Sequence, residues 1–237
     1  MRPIALLMLA PLAACSFSFS SDKDKGIHGE GTGDARTFAA TGFDRVDAVG
    51  SDDVDVRVGP AFSVRAEGDS DTLDHLSIRL DGHTLIVSRR RGVSFGHATV
   101  HVTMPAIAGG AVAGSGNLTI DRADGDSFDG KSAGSGSLAV GALKTREASF
   151  TVAGSGDATV AGETAMLKVR VAGSGDVDAR NLTATGADVA VMGSGSVTAH
   201  VRGAAKVTSA GSGSIDLGPD ARCETKRAGS GEVRCGR

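Results

Sequence analysis

The sequence predicts an all-β fold, a β-solenoid preceded by a β-rich N-terminal part. Three observations predict it. The triplet Gly-Ser-Gly recurs, starting at Gly114, Gly134, Gly154, Gly173, Gly193, Gly211 and Gly229, at spacings of 20, 20, 19, 20, 18 and 18. Apolar residues keep a fixed register on both sides of that triplet. The chain also carries 35 Gly, 8 Phe, no Trp and no Tyr while remaining 40% hydrophobic, and its apolar residues alternate without a helical period.

A repeat near this length means stacked supersecondary units. Four and six places after the first Gly stand Leu118 and Ile120, Leu138 and Val140, Ala158 and Val160, Val177 and Ala179, Val197 and Ala199, Ile215 and Leu217, Val233 and Cys235. The residues between them are mostly polar, so one face points inward along every unit. Four and two places before the Gly, the inward set continues through Phe150 and Val152, Val169 and Val171, Val189 and Val191. It weakens at Gly130 and Ser132, Val207 and Ser209, Thr225 and Arg227. Each unit is therefore expected to be two short strands joined at Gly-Ser-Gly. One unit cannot bury its apolar side alone, and stacking at about 4.8 Å per rung builds a continuous narrow core. Gly is needed where the backbone takes φ > 0 or where turns stack closely. The triplet serines are expected to bond to turn backbone.

Upstream, Val46, Ala48, Val54 and Val56 flank Gly50-Ser51 in the same register, which predicts an extra rung displaced in sequence. The runs around Phe62-Val64, Leu76-Leu80, Leu85-Val87 and Val100-Val102 read as strands, some antiparallel, with a hairpin turn at Asp81-Gly82. Arg89-Arg90-Arg91-Gly92 reads as an exposed basic turn.

The first residues read as an export signal, with Arg2 ahead of a short apolar stretch at residues 4–12. Leu12-Ala13-Ala14-Cys15 resembles the bacterial lipobox, which implies cleavage after residue 14 and a lipid, such as palmitate, on Cys15. Ser16, by the same resemblance, favours the outer membrane. Residues 15–41 are rich in Ser, Gly, Asp and Lys and read as a flexible tether. The folded domain is then expected at 42–237, with N-terminal strands at 42–105 and repeats at 106–237. With Cys15 lipidated, Cys223 and Cys235 make an even number in an oxidising compartment. They stand six residues before and six after Gly229, both on inward positions of the last rung. A disulfide there would pin the open end by about 2–3 kcal/mol; two free thiols are the alternative. The last rung also carries Arg222, Glu224, Lys226, Arg227, Glu232 and Arg234, and charge on a terminal strand discourages end-to-end aggregation.

Several segments resemble a family of bacterial exported proteins named putative auto-transporter adhesin, head GIN domain. They are residues 43–51 (Phe43 to Ser51), Thr84-Leu-Ile-Val87, and Val102-Thr-Met-Pro105 leading into Ala113-Gly-Ser-Gly116. The resemblance covers residue 43 to the end. It implies a right-handed, single-stranded parallel β-helix with a β-rich N-terminal part, and its name implies adhesion. A translocator barrel is not seen in the sequence.

The formal net charge of −3 gives no bulk basic field for nucleic acid, and the scarcity of aromatics removes stacking platforms. Asp157 and Asp176 follow consecutive triplets and should lie about 5 Å apart on neighbouring rungs, with Asp178 on the same face. Such carboxylates suit Ca²⁺ or acid–base work on a glycan. No Arg, Lys or His constellation repeats beside them, so a solvated polar ladder is the preferred reading. The six His show no close metal-ligand spacing, and no Gly-x-Ser-x-Gly elbow occurs. No cofactor and no catalytic residue is expected. The reading is a non-enzymatic, lipid-anchored envelope protein, facing the periplasm or the cell surface. Its β-solenoid is structural or binds a surface polymer or another envelope protein. The alternatives are a carbohydrate-active solenoid enzyme using Asp157, Asp176 and Asp178, and an envelope-stress signalling partner.

Overall fold

The computed structural model describes residues 26–90 and 96–236; the expected signal peptide and Cys15 lie outside them. The N-terminal elements are β1 (Gly29–Glu30), β2 (Ala35–Phe38), β3 (Arg45–Gly50), β4 (Asp53–Val58), β5 (Ser63–Gly68), a single turn of helix α1 (Ser70–Asp74), β6 (Leu76–Asp81), β7 (Thr84–Arg89) and β8 (Ala98–Met104). The repeats follow as β9 (Gly109–Gly114), β10 (Leu118–Gly134), β11 (Leu138–Gly154), β12 (Ala158–Gly173), β13 (Val177–Gly193), β14 (Val197–Val201), β15 (Ala204–Gly211), β16 (Ile215–Asp216), β17 (Arg222–Ala228) and β18 (Val233–Arg234). The fold is the all-β solenoid that the register predicts.

Successive rungs pair in parallel through equivalent positions, as in Leu118↔Leu138↔Ala158↔Val177↔Val197. From β10 to β13 the pairing runs around the far corner of each rung without a lasting break. The expected two short strands per unit are therefore joined, over most rungs, into one ladder of 16 or 17 residues from one triplet to the next. Equivalent corner residues of adjacent rungs still face each other, so their backbone groups can pair there too. Slips of register occur between Val140 and Leu143, and between Thr159 and Ala161, where a rung is shorter than its neighbour.

The inward positions are buried from Leu118 to Leu217. Each buried Val or Leu contributes roughly 1.5–3 kcal/mol. The weak inward positions have local reasons. Gly130 leaves room for Phe150 of the next rung, whose ring would lie 2.8 Å from an added Cβ. Ser132 is buried and donates its hydroxyl to the carbonyl of Gly136 at 2.7 Å.

Gly-Ser-Gly is the backbone hinge of each rung. Gly154 has φ 125°, and a Cβ on Gly156 would stand 2.1 Å from the carbonyl oxygen of Gly136 below it. The amides of Ser155 and Gly156 both donate to the Gly134 carbonyl, at 2.9 and 3.0 Å. The triplet serines do not serve this hinge with their side chains. They are exposed, and among the described residues the one side-chain hydrogen bond between them joins Ser212 and Ser230 at 3.3 Å.

Gly50-Ser51 is indeed a rung displaced in sequence. β3 pairs with β9, and β4 with the start of β10, both in parallel. β7 and β8 stack in parallel on the other side of the same β3 and β4. The rung at Gly50 therefore lies between two segments that follow it in the chain. In it Asp52 stands where later rungs have the second Gly of the triplet. A Cβ is tolerated there because no triplet stacks beneath it. Instead Asp52, 4% exposed, accepts from the Ala98 amide at 2.9 Å and from Arg89 Nε at 2.7 Å. Arg89 Nη2 also pairs with Asp52, and the hydrogen bond holds the guanidinium pKa above its ordinary value. The expected exposed turn is thus corrected at Arg89, which ends β7 with a buried side chain; Arg91 and Gly92 lie outside the described residues.

Ordered pairing begins before residue 42, because β2 pairs antiparallel with β5 and buries Phe38.

Candidate functional site

A concavity of about 590 Å³ runs along the solenoid axis at the far corner from the triplets. Four consecutive rungs build it. One column stacks Asp124↔Lys144↔Glu163↔Thr183, and the next stacks Gly125↔Thr145↔Thr164↔Ala184. Thr164 is buried, and its hydroxyl accepts from Thr145 Oγ1 at 3.2 Å and donates to the Met166 carbonyl at 3.3 Å. Space for a Cβ is open at Gly125, so that end of the groove is unobstructed. The flanking charges are paired with one another. Lys144 Nζ lies 3.2 Å from Glu163, and Arg146 Nη2 lies 2.8 Å from Asp126, all four well exposed. The groove thus offers methyl and hydroxyl surface between rims that carry two ion pairs and the carboxylate of Asp124. It spans three rung spacings, about 14 Å.

The predicted carboxylates are elsewhere, after the triplets, at a depression of about 390 Å³. Asp157 and Asp176 are on neighbouring rungs as expected, but they stitch rungs together. Asp157 Oδ1 accepts from the Asp176 amide at 2.9 Å, and Asp176 Oδ1 from the Ser196 amide at 2.6 Å. Asp53 and Asn117 repeat the device one and two rungs from the other end, accepting from the amides of Asn117 and Ser137. Asp178 pairs with Arg180 Nε at 2.8 Å on the exposed face. Among the described residues, no group of three or more His, Cys, Asp or Glu is placed to hold a metal ion. His97 and His101 stand apart, beside Asp53 at 3.0 Å and Asp55 at 3.5 Å.

At the other end of the molecule Cys223 and Cys235 are bonded, with Cα atoms 6.2 Å apart. The bridge crosses the mouth of the core from β17 to the residue after β18, and both cysteines pack against the core.

The sequence matches the family "Putative auto-transporter adhesin, head GIN domain" over residues 42–220. The chain belongs to this family. The fold of this GIN-family chain is also that of solved structures. A putative adhesin from Bacteroides fragilis superimposes with TM-score 0.77 at 18% identity, covering 89% of this chain and 100% of that one. A putative lipid binding protein from Parabacteroides distasonis gives 0.70 at 21% identity, covering 88% and 98%. A putative adhesin from Parabacteroides merdae gives 0.68 at 17%, again covering 88% and 98%. No curated protein matches the sequence. None of these names is that of an enzyme.

The groove residues were not singled out in the sequence. Thr145 and Thr164 occupy one column, but they lie eleven and ten places after their triplets. The one-residue slip there hides the column from a register counted at the triplet.

Proposed function

We propose that this GIN-family chain is a lipid-anchored envelope protein whose solenoid is a non-catalytic binding module for an extended polymer. The groove across four rungs carries this reading. Its contacts repeat at one rung spacing, which is close to the length of one unit in an extended polysaccharide, and most of its rim charges are held in ion pairs. The lipobox-like Leu12-Ala13-Ala14-Cys15 supports an anchor on Cys15 in the outer membrane. The stitching roles of Asp157 and Asp176 speak against their use as an acid–base pair.

Two measurements test it. Cys15→Ser should move the protein from the membrane fraction to the soluble one and abolish palmitate labelling; a membrane-bound variant would sink the anchor. Envelope polysaccharide extracted from the producing cells should co-sediment with the protein. Thr145→Arg, which fills the groove, should abolish that binding. Undiminished binding by Thr145→Arg would exclude the groove.

A further inference from the structure

The last long strand, β17, has one hydrogen-bonded neighbour, β15, on one side. Its other edge is open among the described residues, and every residue of β17 except Cys223 is exposed. An open edge of seven residues is a template for another strand. What distinguishes a blocked edge from a docking edge is the charge pattern.

The register with β15 fixes the directions of the side chains. Cys223, Thr225 and Arg227 stack on Ala205, Val207 and Ser209, which are buried, so they point inward. Arg222, Glu224, Lys226 and Ala228 point outward. In a second copy laid antiparallel along this edge, using the whole strand, the two-fold axis passes through Thr225. Directly opposite residues then share a face. Glu224 meets Lys226 of the second copy twice, Thr225 meets Thr225, and Arg222 meets Ala228. Opposite charges and Thr–Thr pairs across strands are both favourable. Sliding the axis to Glu224 or to Lys226 puts like charges opposite each other on the axis. A blocking edge of one charge sign would repel in every register; this one is self-complementary in the register that uses the whole strand. The same patch serves both copies, as a two-fold interface requires.

We propose that two copies of this chain join end to end through antiparallel pairing of β17 about Thr225, making one continuous sheet with the groove on each arm. The charged last strand then specifies a partner, where the sequence alone read it as discouraging association.

The test is sedimentation velocity on the full chain carrying Cys15→Ser, so that no acyl group drives association. A dimer is expected. Glu224→Lys and Lys226→Glu each place like charges opposite one another twice and should weaken the dimer about tenfold. The double variant Glu224→Lys with Lys226→Glu restores the pairing and should restore the dimer. If either single variant loses its β-sheet circular dichroism, Glu224→Gln and Lys226→Gln take its place, with a smaller loss expected. A protein that stays monomeric at its highest soluble concentration overturns the proposal. So does a dimer indifferent to the single charge changes, or one that the double swap fails to restore.

Discussion

The two ends of the solenoid are finished in opposite ways. At the N-terminal end each of its two faces passes into antiparallel strands: β9, β3 and β7 lead to β6, and β10, β4 and β8 lead to β5 and β2. The segment at 27–30 then ties the two faces together, Ile27 bridging to Ile78 while β1 pairs with β2. A buried ion pair, Asp52–Arg89, fills the hinge of the first rung. At the C-terminal end, among the described residues, neither face is capped by further strands. The inward positions turn polar at Thr225 and Arg227, and one disulfide crosses the mouth. Solenoid stability is close to a sum of rungs and their interfaces, so each end must solve the exposed-core problem locally. The N-terminal end solves it by packing and the C-terminal end by covalent closure.

The largest expected effect lies in the N-terminal hinge. Arg89→Met leaves Asp52 buried with its charge uncompensated and should lower stability by roughly 3–5 kcal/mol. The loss should appear as a lower urea midpoint. Asp52→Leu with Arg89→Met removes both charges and should recover most of that loss. An unchanged midpoint in the single variant would mean that the hinge does not hold the N-terminal end.

The C-terminal counterpart is smaller and local. Replacing both cysteines by Ser removes a closed loop of 12 residues' separation, worth about 2–3 kcal/mol. Because rungs contact only their neighbours, amide hydrogen exchange should quicken from β16 to β18 and stay unchanged in β3 and β4. Uniformly faster exchange would show that the two ends are coupled.

The interior lies between these cases, and Gly156→Ala probes it. The new Cβ meets the Gly136 carbonyl oxygen of the rung below at 2.1 Å and Ser132 Oγ at 2.7 Å, and the backbone contact cannot move aside. Overpacking of this kind costs roughly 1–3 kcal/mol. Asp52→Ala, at the equivalent hinge position, introduces no such clash. Its loss should come from Arg89 and should vanish when Arg89→Met is already present. Equal thermal shifts for Gly156→Ala in either background would support independent sites.

The comparison also explains what the sequence disclosed. Inward residues such as Leu118, Val171 and Ile215 were legible because the triplet repeats and each contact is with the same position one rung away. The displaced rung at Gly50 was legible for that reason, although its stacking partner Gly114 is far along the chain. Asp52 and Arg89 were not. Each looks like a polar turn residue, and their burial follows from a tertiary meeting that no period encodes. β2 was hidden because Ala35–Phe38 is short and lies among Gly and Asp. The disulfide was legible from register and compartment. The groove was not, since its columns form where rung lengths differ.

The smallest expected effect concerns the clasp beside the N-terminal rungs. Arg45 reaches across Gly109, where a Cβ would stand 2.5 Å from Nη2, to pair with Asp129 two rungs on at 2.9 Å. Asp47, half-buried next to it, has its pKa raised by burial, against the pull of Arg45 and Lys131 and with a further push from Asp129. The native state therefore holds this proton more tightly than the unfolded chain. Stability must then fall as pH rises from the ordinary carboxylate value of 3.8 through the raised one. At neutral pH the Asp47 charge is a destabilising element inside an otherwise tightly packed end. Asp47→Asn should raise the thermal midpoint slightly at neutral pH and leave it unchanged below about pH 3, where the native Asp47 is already protonated. A lower midpoint at neutral pH would mean that the attraction to Arg45 and Lys131 outweighs burial, and that Asp47 belongs to the clasp that binds the first rungs together.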